Sequence, residues 1–371
     1  MKNKEQKILQ DVNEEKCDVV ITPKVSPIKR FIDAAGWPRI IIAIFLLVLF
    51  ICAPFVKLSL SRSISDTLVR VGMNAIMVLA LVPMVQSGCG LNFGLPLGFL
   101  AGILGALLSI EFKMTGLLGL FGAILMSLPF SLLFGYGYGL LLNRVKGDEM
   151  MIATYVGFSS VSLFCMLWLL LPFRSPVMVW GFAGKGLRTT ISVDQFWQNT
   201  LSDILSFRIG SDFYFPTGMY IFFAIMCFFI WAFFHTKTGT AMTAVGSNPD
   251  FARASGVNVD ASRTLSVVLS TVLGGIGIII YQQSYGFIQI YNGPQYMGFP
   301  AVAAILLGGA SVHKANIGNV IIGTFLFQGI LTMAPSVINS ALKTDMSEIF
   351  RIIISMGMIL YALTRKTKVR S

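Results

Sequence analysis

The chain has 371 residues, of which 55% are hydrophobic and only 12% charged, with a mean hydropathy of +0.76. An ordinary soluble globule carries about twice that charged fraction, so the composition excludes one and indicates a polytopic membrane protein. The net charge of +11 would suit nucleic acid, but the basic residues collect at the two ends and in particular loops, a distribution that membrane orientation explains and that argues for no nucleic-acid partner.

Residues 1–38 are too polar, and lie too far from the first apolar run, to be a cleaved signal peptide; they read as a cytoplasmic N-terminal tail with room for a surface helix. Ten stretches able to cross or re-enter a hydrocarbon core follow, at about 39–56, 67–87, 93–110, 116–142, 150–172, 217–235, 262–284, 297–312, 316–334 and 346–363. The predicted fold class is therefore an all-α polytopic membrane protein, with a transmembrane domain over 39–363 and a cytoplasmic tail over 364–371. Backbone groups in lipid have no water to bond, so the spans are expected to be helices, and the 36 glycines suit close helix packing. With ten crossings and both termini inside, the cytoplasmic segments hold eighteen of the 28 Lys and Arg residues.

Between the second and third spans, Gly88, Gly90, Gly94, Pro96 and Gly98 break the helical pattern. Backbone freed at membrane depth is tolerated where it lines a cavity or is buried in protein. Asn74, Gln86, Asn92 and Thr154 are expected to converge there as uncharged hydrogen-bonding groups, with Phe93 offering an aromatic face. Such a wall suits a neutral polyhydroxy or heterocyclic solute; the alternative is that these groups only bond helix to helix. Within the spans the interior ionisable candidates are Arg70 and Arg351 alone, both near span ends where a long side chain snorkels, which disfavours an ion-coupled mechanism.

The segment over 173–216, expected outside the cytoplasm, is rich in aromatic residues including Trp197, Phe207 and Tyr214. It either folds back on the membrane surface or meets an external partner. The next polar island, over 236–261, is predicted to be cytoplasmic. There Ser247 or Asn248 can cap a helix, Pro249 suits its first position, Asp250 its positive first turn, and Gly256 its end. A stubby helix outside the bilayer is more than a linker needs, so it reads as a docking surface for another protein.

Searches for other chemistry return nothing. No Gly-x-x-x-x-Gly-Lys-Ser/Thr loop is present to cradle a nucleotide, so energy from ATP has to come from a partner. His235 and His313 lack neighbours at ligand spacing, giving no metal site, and no catalytic cluster can be assembled. Five scattered cysteines suggest no disulfide framework.

Several segments together resemble the permease subunits of bacterial ABC importers for ribose, galactose, xylose and autoinducer-2, the inner-membrane translocator family that also includes nucleoside permeases. They are Asn74-Ala75-Ile76, the Ser87 to Gly98 break, Lys146-Gly147, Thr238-Gly239, Ala244-Val245-Gly246 with Asn248, Ala252-Arg253, Ser255 to Val259, Leu307-Gly308-Gly309 and Ile317-Gly318 with Gly323. The resemblance runs from about residue 67 to 363. It implies a type II importer-like architecture in the inner membrane: two permease subunits, alike or different, paired around a central pathway, ABC ATPase subunits below, and an extracytoplasmic solute-binding protein that delivers the solute. On that reading the chain is not an enzyme and holds no cofactor, the ATP being used by the partner subunit; its other surroundings are membrane lipid. Gly246, Asn248, Pro249, Ala252, Arg253 and Gly256 would form the ATPase coupling helix, and Asn74, Gln86, Asn92, Phe93 and Thr154 the solute pathway. The expected solute is a monosaccharide, with a nucleoside or autoinducer-2 as alternatives and passive facilitation as a further one. Where sugar permeases carry Gly-Ile-Asp-Leu-Ser-x-Gly, this chain has Gly90-Leu91-Asn92-Phe93-Gly94, which lacks the carboxylate and the hydroxyl, and His313-Lys314-Ala315-Asn316 replaces the usual Gly-Gly.

Overall fold

In a computed structural model the fold is described for residues 37–179, 186–210, 212–342 and 347–364. Apart from residues 37, 38 and 364, the two predicted tails lie outside the described residues, as does the side chain of Arg351. In chain order the helices are α1 (Trp37–Phe55), α2 (Leu60–Leu79), α3 (Val82–Gln86), α4 (Leu95–Glu111), α5 (Gly116–Arg144) and α6 (Glu149–Leu170). Three short strands come next, β1 (Thr190–Ser192), β2 (Phe207–Ile209) and β3 (Phe213–Phe215). The remainder comprises α7 (Thr217–Phe234), α8 (Lys237–Ser247), α9 (Pro249–Ala254), α10 (Val259–Tyr285), β4 (Phe287–Gln289), α11 (Gly293–Leu307), α12 (Ile317–Leu342) and α13 (Ser347–Thr364). Among the described residues six helical segments are long and apolar enough to cross a membrane, with Arg39–Phe55 and Leu95–Glu111 shorter apolar helices beside them.

The fold is mostly helical, as expected, with two small antiparallel pairings added, β1 with β4 and β2 with β3. Two helix boundaries also differ from expectation for local reasons. The second span begins at Leu60, well before residue 67, because one side of its polar first turns is covered by protein: Ser63, Ser65 and Thr67 are buried, while Arg62 and Asp66 stay exposed. It then breaks at Ala80–Leu81, where Pro83 has no N–H to offer the preceding turn. The eighth stops at Leu307 rather than 312, because Gly308 follows and Gly309 turns the chain at φ +87°.

Helix α10 is the centre of the packing, lying against α5, α4 and α2, while α12 packs on α2, α11 and α1. Glycine permits these close crossings. A Cβ on Gly102 of α4 would meet the Gly275 carbonyl and the Ile278 side chain of α10, and one on Gly139 of α5 would lie 3.0 Å from the Thr264 Cα. Most of α2, α3 and α10 is buried, whereas α5, α6 and α7 expose apolar side chains such as Leu118, Leu133, Leu170 and Phe228. The first group is surrounded by the protein's own helices, and the second turns its apolar side chains outward.

The described part of the 173–216 segment is ordered against one end of this bundle. Trp197 is buried, the Asn199 N–H donates to the Gln283 carbonyl at 2.8 Å, and the Val193 N–H to the Gly286 carbonyl at 3.0 Å. Trp168 Nε1 donates to the Ile290 carbonyl at 3.0 Å, and the Glu111 carboxylate accepts from the backbone of Arg174 and Ser175. Helix α7 leads from this layer to α8 and α9 at the other end of the bundle.

Candidate functional site

The glycine-rich break is present. Between Gln86 and Leu95 the backbone is non-helical and almost wholly buried, with Gly88 at φ +76° and Gly90 at φ +80°, a region in which a Cβ is strained. Its polar residues do not converge on one cavity. Asn92 is 1% exposed and fully engaged: its Nδ2 donates to Ser270 Oγ at 2.8 Å, and Tyr138 OH donates to its Oδ1 at 3.1 Å. Asn92 thus ties the break to α10 and α5, the interhelical role rather than an open wall. Asn74 donates to the Arg70 carbonyl within its own helix. Gln86 points elsewhere, its Nε2 donating to the Ala315 carbonyl at 2.5 Å and lying 3.4 Å from Asn316 Oδ1.

Phe93 and Thr154 do come together. They line one cleft with Phe158, Gln295 and Phe299. The Phe93 and Phe299 ring centres are 5.7 Å apart, and Phe158 and Phe299 6.0 Å. Thr154 Oγ1 donates to the Met150 carbonyl, which leaves its oxygen as an acceptor, and Gln295 supplies an amide. The free space is about 10 Å³, room for about one water, so the cleft is closed to a larger solute in this conformation. Phe158 and Phe299 were missed because a phenylalanine in an apolar helix carries no mark of its position. The signal available for Gln295 was an amide in the first turn of a glycine- and proline-rich helix.

At the polar island the predicted short helix is α9. Asn248 is its cap, with Oδ1 accepting from Asp250 N at 3.1 Å and Phe251 N at 3.0 Å, and Pro249 occupies the first turn. Gly256 ends it at φ +82°, and a Cβ there would touch nothing, so any cost of substitution is backbone strain alone. A second helix, α8, was not expected over this threonine- and glycine-rich stretch; Thr236 caps it, its Oγ1 accepting from Gly239 N at 3.2 Å. One residue is corrected. Ala252 does not face outward: it is 1% exposed and packs with Val245, Val257 and Val259. The outward side chain is Phe251, 67% exposed. Arg253 lies 3.7 Å from Asp250, both largely exposed, a pair that contributes little to stability.

The island touches the break directly. A Cβ on Gly246 would overlap the Gln86 carbonyl and lie 3.0 Å from the Gly88 N, and one on Gly88 would lie 3.0 Å from the Gly246 Cα. Two backbones meet there because both positions are glycine. Beside this joint Ser87 Oγ and Ser266 Oγ are 2.6 Å apart, joining the break to α10.

A charged cluster missing from the sequence reading surrounds the same place. Arg263, counted as a loop cation, is 9% exposed; it pairs with Glu149 at the start of α6, and its Nε donates to Cys89 Sγ at 3.3 Å. Lys146 pairs with Asp260 at 2.7 Å, and Asn143 Nδ2 donates to the Asp260 carbonyl and to Thr264 Oγ1, both at 2.8 Å. These contacts fasten α5, α6 and α10 together beside the break.

The buried break, the aromatic cleft and the capped helix pair α8–α9, joined to the break at Gly246, are the features to set beside known proteins. Residues 63–362 match the family model described as branched-chain amino acid transport system / permease component. The chain belongs to that family. It is 25% identical over 242 residues to the nucleoside ABC transporter permease protein NupB of Lactococcus lactis subsp. cremoris (strain MG1363), covering 61% of each chain. It is 33% identical over 119 residues to NupC of the same organism, 32% of this chain and 38% of that one. Similarity to the autoinducer 2 import system permease protein LsrC of Enterobacter sp. (strain 638) is 27% over 214 residues, 57% of this chain and 56% of the relative. The chain thus aligns with less than two thirds of the length of each of these relatives. No solved structure matches it.

Proposed function

We propose that this permease-family chain is the membrane subunit of an ATP-driven importer, carrying a nucleoside or a closely similar solute with a flat heterocyclic face into the cell. The observation that carries the substrate is the cleft of Phe93, Phe158 and Phe299 with Gln295 and Thr154 at its edge. The three rings are tilted on one another rather than stacked, and aromatic faces of this kind suit a base, while an amide with a hydroxyl suits its hydrogen-bonding edge. Two nucleoside permeases are among its relatives. A monosaccharide is the second reading, favoured by the similarity to the galactofuranose transporter permease protein YtfT of Escherichia coli (strain K12), 25% identical over 176 residues, 46% of this chain and 50% of that one.

Phe158 faces outward at 37% exposure, so a second permease copy or a related permease completes the cleft and the pathway runs between the two, in the type II manner. An ATPase subunit meets α9, a solute-binding protein delivers the solute at the opposite end of the bundle, and both termini are cytoplasmic. The substrate test is competition in proteoliposomes holding the full assembly. Labelled uridine uptake should be blocked by unlabelled nucleosides and not by ribose, and Phe299→Ala should lower uptake roughly tenfold, since losing one stacking ring costs about 1–3 kcal/mol. Ribose uptake without nucleoside uptake would leave the monosaccharide. Orientation is checked with cysteines at two exposed positions: Asp194→Cys should react with an impermeant thiol reagent from outside the cell and Ser247→Cys should not, the reverse pattern inverting the topology.

A further inference from the structure

Strands β2 and β3 form a hairpin whose two faces differ completely. The register pairs Phe207 with Phe215, Arg208 with Tyr214 and Ile209 with Phe213. Side chains alternate across a strand, so Phe207, Ile209, Phe213 and Phe215 share one face and Arg208 and Tyr214 the other. The polar face is satisfied within the chain. The Arg208 guanidinium sits 5.1 Å from the Tyr214 ring centre and 3.8 Å from Asp203, and Tyr214 OH donates to the Ser202 carbonyl at 2.9 Å and to Asp203 Oδ1 at 3.2 Å. Burial, with the Asp203 carboxylate adding to it, pushes the Tyr214 hydroxyl up to about 12, which keeps it a donor at neutral pH. The apolar face has no such cover: Phe207 is 57% and Ile209 60% exposed, and the adjoining Leu205 is also exposed.

That face continues into the exposed apolar side of a helix long and apolar enough to cross a membrane. Only Pro216 separates β3 from α7, the Phe215 ring stacks on Tyr220 of α7 at 4.8 Å, and below it Ile221, Ile225, Phe228 and Phe229 lie exposed along one side of the same span. Ser65 of α2 holds the hairpin in place, its Oγ donating to the Tyr214 carbonyl at 2.6 Å. We propose that the β2–β3 hairpin is an interfacial membrane anchor, its Phe207/Ile209 face seated in the boundary between headgroups and acyl chains at the end of α7 opposite the coupling region. Aromatic residues gather at that depth, and an arginine on the opposite face can meet water and phosphate. A delivery protein that docks and leaves would return this apolar face to water in every cycle, whereas lipid covers it throughout.

The experiment places a spin label at Ile209→Cys in the full chain reconstituted into phosphatidylethanolamine/phosphatidylglycerol vesicles, with the native cysteines other than buried Cys89 replaced. Collision with oxygen, which partitions into lipid, is compared with collision with a water-soluble nickel chelate, and Asp194→Cys is the water-exposed reference. Oxygen should dominate at 209 and the chelate at 194, with no change when the solute-binding protein is added. A 209 label as open to the chelate as the 194 label overturns the proposal. Protection from chelate that appears only with the binding protein also overturns it, and assigns the face to protein docking.

Discussion

Phe251→Ala should detach the ATPase. The ring is two thirds exposed on a rigid, capped helix of six residues, held by backbone bonds that do not involve the side chain, so truncation removes contact surface without disturbing the fold. A buried aromatic anchor at an interface is commonly worth about 2–4 kcal/mol, so affinity for the ATPase subunit should fall roughly 30-fold or more. Co-purification from detergent and titration by surface plasmon resonance both read this. Unchanged affinity would show that α9 is not the docking element. Ala252→Trp is a poorer probe: with Ala252 packed beside Val245 and Val259, it would break the island from within and lose the partner for an uninformative reason.

Gly246→Ala should uncouple rather than detach. The added methyl overlaps the Gln86 carbonyl, and a backbone cannot step aside as a flexible side chain does, so the end of α8 must move off the break. The expected outcome is that the ATPase still binds and hydrolyses ATP, while uptake falls to background and hydrolysis no longer responds to loaded binding protein. Normal uptake by Gly246→Ala would mean that the contact with Gly88 is incidental. Adding Phe251→Ala to the same chain separates the two effects, because only that change should reduce the amount of ATPase bound.

What the sequence made legible was the chemistry confined to a few neighbours. The cap on α9 could be read from Asn248 and Pro249 because the bonds run only two and three residues ahead, and the break from glycines and a proline whose preferences are local. Asn92 shows the limit: its partners Ser270 and Tyr138 lie 178 and 46 residues away, and no spacing rule connects them. Gln86 was placed in the right segment but aimed wrongly, because its bond to Ala315 depends on where the turn before α12 falls. Helix α8 was missed since threonine and glycine have weak helix propensity, and there contacts with α7 and α10 decide. Arg263 looked like a loop charge because its acidic partner, Glu149, lies 114 residues earlier.

Helix α10 follows the island at Val259, passes behind the break at Ser266 and Ser270, and ends at Tyr285 in the layer stitched by Gln283. Twenty-seven helical residues make a rod about 40 Å long, enough to reach from one membrane surface to the other. Near its middle Gly275 is pressed against Gly102 of α4, the tightest crossing along it. Close crossings at Thr264, Val268, Thr271 and Gly277 hold the rest of the rod as well, so a push on its Val259 end is carried to its Tyr285 end by the whole helix rather than absorbed by a local bend.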